Sequence, residues 1–318
     1  MDKRTPKRDL EAEITDRVIE ALERGTVPWE KPWTAAGILP TSVATGRAYR
    51  GINVLLLSMT AQARGYDSPY WLTFNQAREL GGTVRKGEKG TTVVFWKRLK
   101  VEDEDLATGE TVEKVVPMMR AYTVFNVEQT DGATLPPRFV HDDDETVEAV
   151  EPDVALESIL AGYVDGPTVK HVTGDLAAYN PGTDVVVLPK LGQFADAAGY
   201  ANTVLHELTH STGHASRLDR FVRNGEPQHF GSERYAKEEL VAEMGAALLA
   251  VEHGVETRLE RHAAYVKNWL GALRDDKSLV VKAAQQAQKA VDRIVGRTFS
   301  DATVAETADQ TAETGVAA

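Results

Sequence analysis

Apolar residues recur every three or four positions from residue 9 to residue 23, at Leu10, Ile14, Val18, Ile19 and Leu22, and Gly25 closes the run. That spacing lines one face of a helix, so a helix over 9–23 is predicted. "GINVLLLSMTAQARG" repeats the pattern with Val54, Leu55, Leu57 and Met59 and again stops at glycine, and "WLTFNQARELGG" reads as a shorter third helix. The period then falls to two. "TTVVFWKRLKVED" and "KVVPMMRAYTVFNVEQ" read as strands joined by a hairpin turn at "ATGET". "TLPPRFVHDDDETVEAVEPD" follows, rich in proline and acid, and reads as a spacer. Beyond it lie a helix at "DVALESILAGY", strands at "TVKHVTG" and "TDVVVLP", and helices over 198–212, 233–252, 258–273 and 277–295.

This order predicts an α+β protein of two domains. An N-terminal α+β domain spans 1–133, an acidic linker 134–152, and a mostly helical C-terminal domain 153–298. The tail, 299–318, is small, polar and acidic after its first residue and is predicted to be disordered.

Composition adds three constraints. A chain of 318 residues that is 42% hydrophobic can fill two cores. It contains no cysteine, which excludes disulfides and thiolate metal sites and leaves His, Asp and Glu as metal ligands. No signal peptide is visible, and no run approaches the ~18 apolar residues of a membrane span, so a soluble cytoplasmic protein without a membrane partner is expected. The net charge of -12 is unevenly spread. Residues 31–100 hold 11 Lys and Arg against 3 Asp and Glu, whereas residues from 141 onward hold 16 against 29. A polyanion responds to the local field, so the acidic total does not exclude nucleic acid at the basic segment.

"HELTHSTGH", residues 206–214, contains three of the eight histidines. His206 and His210 are four apart, so on a helix they share one face and can bind one ion, with Glu207 placed to act as general base. Val204, Leu205 and Leu208 supply the apolar side that such a helix needs. A third ligand must come from elsewhere. His214 lies about 12 Å beyond His206 along a continuous helix, and the third histidine of the metzincin pattern would fall at Ser216. His214 is therefore expected to be a second-shell or capping residue.

The helix "YAKEELVAEMGAALLA" offers Glu239 and Glu243 on one face of an Ala- and Leu-rich surface, where a buried carboxylate needs a partner. Glu239 is expected as ligand and Glu243 as support for a ligand histidine. Glu238 stays open as a ligand, and so does the reading of Glu238 and Glu239 as solvated charges. Two histidines and one glutamate suit Zn2+, with Mn2+ or Fe2+ compatible, and leave a coordination position open for hydrolysis.

The first domain interleaves aromatics, cations and amides. Trp29, Trp33, Arg47, Tyr49, Arg50, Asn53, Trp71, Gln76, Lys86, Lys89 and Trp96 are candidates for stacking bases and meeting phosphates of single-stranded DNA. "RKGEKG" is a candidate phosphate cradle. The competing reading is that the rings are core and the cations a solvated face.

With these segments in view, a resemblance emerges. "GTVPWEKPW", "TGRAYRGINVLLL", "YWLTFNQARELGGTVRKGEKGTTVVFW" and "YTVFNVEQ" resemble the N-terminal domain of ArdC-type antirestriction proteins, which also precedes some conjugative primases. "LHELTHSTGHASRLDR", "FGSERYAKEELVAEMGAALL" and "AAYVKNWLGALRDDKSLVVKAAQQAQKA" resemble that family's C-terminal metallopeptidase domain. The resemblance implies single-stranded DNA binding joined to a zincin-like, SprT-type domain that protects incoming plasmid or phage DNA, with DNA-bound host proteins as candidate substrates. Two other readings stand beside it: a non-catalytic binding and protecting protein with a structural metal site, and a double-strand-specific regulator.

Overall fold

The protein is described here from a computed structural model, which covers residues 8–29, 38–104, 111–139, 152–221, 233–256 and 263–298. Helix α1 (Leu10–Glu23) begins at Asp9, whose carboxylate accepts from the Ala12 amide, and buries Ile14, Val18 and Leu22. Helix α2 (Ile52–Arg64) closes on Gly65, which adopts the left-handed φ of 69° that favours glycine. Helix α3 (Phe74–Glu79) is fixed by a reciprocal cap between Thr73 and Gln76.

Among the described residues six strands accompany these helices: β1 (Thr41–Ser42), β2 (Tyr70–Leu72), β3 (Thr83–Val84), β4 (Thr91–Glu104), β5 (Thr111–Asn126) and β6 (Thr130–Asp131). They form a sheet of order β1-β2-β5-β4 and a separate β3-β6 pair. The antiparallel β4–β5 ribbon keeps register from Thr91↔Val124 out to Glu104↔Thr111, and most of the predicted hairpin turn lies outside the described residues. Strands β1, β2, β3 and β6 have two or three residues each, too few for an alternation to show in the sequence.

Among its described residues the C-terminal region holds α4 (Pro152–Gly162), a three-stranded sheet and four further helices. Strands β7 (Thr168–Val172), β8 (Ala178–Asn180) and β9 (Val185–Pro189) are ordered β7-β9-β8, with β7 parallel and β8 antiparallel to β9. Helices α5 (Ala197–Ser211), α6 (Glu233–Glu252) and α8 (Leu279–Ile294) lie close to their predicted bounds. Helix α7 (Ala263–Asp275) runs two residues past its predicted end, and residues 257–262 are outside the described set.

The architecture is thus an N-terminal α+β domain followed by a largely helical C-terminal region. The two share one apolar core, which the sequence did not reveal. Ile14, Val18 and Leu22 of α1 belong to the same cluster as Trp269 and Leu273 of α7 and Val280 and Val291 of α8. Polar ties reinforce the junction: the Thr15 hydroxyl donates to the Lys277 carbonyl, and the Gly51 amide donates to the Gln288 side chain. Arg50 pairs with Asp292 at 2.5 Å.

The start of the expected linker is also fixed. Phe139 packs edge-on against Tyr70, with centroids 4.9 Å apart, inside a small satellite core. Residues 140–151 of that linker and the tail from 299 lie outside the described residues. No helix among the described residues is long and apolar enough to cross a membrane.

Candidate metal centre

Helix α5 is held at its start by the Asp196 carboxylate, which accepts from the Gly199 amide, and it buries Val204, Leu205 and Leu208. This face fixes the rotation of the helix and turns His206 and His210 toward α6. The crossing of the two helices is close because Gly245 of α6 has no side chain: a Cβ there would lie 2.4 Å from Thr209 Cγ2. After α5 the chain turns back at Gly213, where a Cβ would meet the Phe221 ring at 2.6 Å. Arg217 then anchors the returning segment to the Ser211 carbonyl, the Asp165 carbonyl and the Asp184 carboxylate.

The result brings His206, His210 and Glu239 together, with one donor atom from each lying within 4.8 Å of the others. The two Nε2 atoms are 3.0 Å apart, and the Glu239 oxygens lie 3.5 Å from His206 Nε2 and 3.4 Å from His210 Nε2. A tetrahedral ion with bonds of 2.0–2.1 Å requires donors about 3.3 Å apart, so these separations bracket what zinc needs. Both remaining ring nitrogens meet carboxylates. His206 Nδ1 is 3.5 Å from Glu243, and His210 Nδ1 is 3.3 Å from Glu238. A carboxylate on the outer nitrogen orients a ligand imidazole and raises its basicity.

Glu238 is the residue that sequence reasoning undervalued. It is neither a solvated charge nor one of the three converging donors; it is buried and takes a two-point grip from Arg220, at 2.7 Å and 3.0 Å. Arg220 also donates to Thr212 Oγ1 and to the Thr209 carbonyl, so His210, Glu238, Arg220 and the end of α5 form one network. The adjacency of Glu238 to Glu239 on an Ala- and Leu-rich helix was the available signal. Arg220 gave none, because its position depends on the turn at Gly213.

His214 does not join this network. Its Nδ1 faces Ser216 Oγ at 2.8 Å and accepts from the Ser216 amide at 3.2 Å within the turn after α5, so of the two expected roles, second-shell or capping, its contacts are those of a local cap. Glu207 is 7% exposed, and its charge favours the protonated forms of both rings.

The electrostatics suit a cation. Burial opposes charge on His210, but Glu238 and Glu239 outweigh it and push its pKa up to about 10. His206 is raised in the same way, against burial, by Glu239 and Glu243. Burial alone would raise Glu239, yet the two rings hold it well below the ordinary carboxylate range. Glu243 is raised, chiefly by burial. Four carboxylates around two imidazoles hold protons where a dication would serve the same purpose.

The proposed DNA-facing residues fare differently. Trp29 packs edge-on against Trp269 at 5.2 Å, and Trp71, wholly buried, packs against Tyr66. Tyr49 is buried beside Phe95. The Asn53 amide bonds both the carbonyl and the amide of Val94, at 2.7 Å and 2.8 Å, and so plugs part of the free edge of β4. Gln76 caps its own helix, and Arg50 is engaged across the junction with Asp292. Trp29, Tyr49, Asn53, Trp71 and Gln76 are therefore corrected from surface to core, because their rings fill apolar volume and their amides satisfy buried backbone. Arg47, Lys86 and Lys89 are exposed, Trp96 is half-buried, and Trp33 lies outside the described residues. In "RKGEKG", Arg85 is taken by Glu88 and Asp131.

A two-histidine, one-glutamate cluster on crossing helices, half-buried at the histidines and buried at the glutamate, is a candidate metal centre of the zincin-like kind. Residues 158–286 match the profile of a zincin-like metallopeptidase, and residues 8–125 match that of the N-terminal domain of the anti-restriction factor ArdC. The metal-free structure of the antirestriction ArdC protein from the R388 plasmid is similar with a TM-score of 0.72 and 42% identity, over 92% of this chain and all of that one. Its Mn(II)-bound structure gives 0.72 and 40%, over 96% and 99%. An uncharacterized protein, y4eC, of Sinorhizobium fredii (strain NBRC 101917 / NGR234) is 36% identical over 300 residues, 91% of this chain and 93% of that protein. The chain belongs to the ArdC antirestriction family. It is also 41% identical to the DNA primase TraC of Escherichia coli over 305 residues, but spans only 20% of that primase's length.

Proposed function

We propose that this antirestriction protein binds single-stranded DNA through its first domain and hydrolyses peptide bonds at the α5–α6 centre, so protecting DNA entering a new host. The observation that carries the hydrolytic half is the donor set itself. Three converging donors from His206, His210 and Glu239 are accompanied by a buried Glu207 that is not one of the three. A closed structural zinc site recruits four protein ligands, and among the described residues this set stops at three.

A divalent ion at this centre would act as a Lewis acid toward a peptide carbonyl and acidify water. Glu207 would accept the proton of the attacking water and return it to the leaving amine. Glu243 and Glu238 would keep the two rings turned inward, with Arg220 holding Glu238 in place. Zinc fits the ligand types, and manganese fits as well; a manganese-bound relative of 40% identity supports the latter.

The test separates catalysis from coverage. Glu207→Gln should retain metal and oligonucleotide affinity while protection of incoming DNA in recipient cells is lost. Undiminished protection by Glu207→Gln would favour the non-catalytic reading, in which coating the DNA suffices and the metal is structural.

A further inference from the structure

The β4–β5 ribbon is polarised along its length. Its inner part, residues 91–101 and 114–126, carries five cations and no acid: Lys97, Arg98, Lys100, Lys114 and Arg120. Its outer part among the described residues, 102–104 and 111–113, carries four acids and no cation. The register places this change of sign on both strands at the same level, since Val101 pairs with Lys114 and Glu102 with Glu113. Strand β2 covers only the last two residues of β5, through Trp71↔Asn126 and Leu72↔Phe125, so among the described residues most of the basic shank has no third strand beside it.

Rings lie on the same shank. Phe95 pairs directly opposite Arg120, and Val93 opposite Tyr122, so these four residues share one face. Phe95 and Tyr122 are half-buried and meet edge to face at 5.6 Å, while the buried Tyr49 backs Phe95 at 6.4 Å. A row of rings therefore rises from the core to the surface beside the exposed Arg120 and the half-buried Lys97. Such a face offers π-surfaces for bases and cations for phosphates.

From this placement we infer that the Phe95–Tyr122 face of the ribbon shank is a seat for single-stranded nucleic acid, with the acidic outer part marking where the strand must leave. The inference rests on the single-stranded DNA reading above and gives it a location that the buried tryptophans cannot supply. A second copy of this chain is a poorer occupant, because it would set a run of cations against another, and Asn53 already blocks strand addition at Val94.

The test uses the full-length protein and a fluorescein-labelled oligothymidine followed by anisotropy across a salt series. Wild type should bind, with affinity falling as salt rises. Arg120→Glu, an exposed change, should weaken binding about tenfold and flatten the salt dependence, as removal of a phosphate contact does. Tyr122→Leu should weaken binding by about tenfold, within the range for a lost stacking partner, and Tyr122→Phe should leave it intact. Unchanged affinity and salt slope in Arg120→Glu, beside a wild type that binds, would overturn the ribbon seat alone. A wild type that binds no single strand, or prefers duplex, would overturn the DNA reading and the seat with it.

Discussion

The metal helix and the tryptophan-rich first domain both announced themselves as unusual sequence, yet the structure treats them in opposite ways. At α5–α6 the unusual residues converge: His206, His210 and Glu239 face one another within 4.8 Å. In the first domain they disperse into the core, with Trp29 against Trp269 and Trp71 against Tyr66. The difference is one of cost. A buried carboxylate or imidazolium demands a partner, so a charged residue on an apolar helix face carries information about what it meets. A tryptophan gains by burial anywhere, so its presence among cations says little about which side it faces.

The largest effect that would sharpen this contrast is at Trp71. Trp71→Ala should cost about 3–5 kcal/mol of stability, the range for emptying a large buried ring site, visible as a lower midpoint in denaturant unfolding. A Trp71→Ala variant with wild-type stability that loses only DNA binding would restore the surface reading and break the contrast.

A smaller effect is expected behind the metal site. Glu238→Gln leaves the three donors in place but weakens the grip between Arg220 and the His210 ring, and should lower metal affinity about 10–100-fold, measured by competition with a chromogenic chelator. Wild-type affinity in that variant would reduce Glu238 and Arg220 to a packing role.

The most graded effect is with pH. His210 has a pKa raised to about 10 in the metal-free protein, above the ~6.5 of a free imidazole, so a proton occupies the site at neutrality. An incoming ion must displace it, and metal affinity should rise by up to about tenfold per pH unit between about pH 6.5 and pH 10. The same raised value means that the metal-free fold gains stability from this pairing fully below about pH 6.5 and loses it as pH climbs through about 10. A flat affinity across that window would show that the imidazole is not held protonated.

Much of the fold was legible because its long elements carry strong periods: α1, α2, α5, α6, α8 and the β4–β5 ribbon all follow from spacing. What escaped notice depends on contacts distant in sequence. The two-residue strands form only by pairing, the union of α1 with α7 and α8 needs both ends of the chain, and Arg220 reaches Glu238 only after the turn at Gly213. At the site, the i,i+4 histidines were readable from α5 alone. Glu239 was readable because α6 is otherwise rich in Ala and Leu, whereas Glu238 was obscured by the half-buried Lys237 beside it, which the sequence suggested would face solvent.

Everything proposed for the second domain depends on His206, His210 and Glu239 gripping one divalent ion. Equilibrium dialysis with elemental analysis of wild type, His210→Ala and Glu239→Gln, each checked for folding by circular dichroism, tests this directly. About one ion per chain is expected in wild type, with well below that in both folded variants. A full complement of metal in either variant would contradict the assignment of that centre.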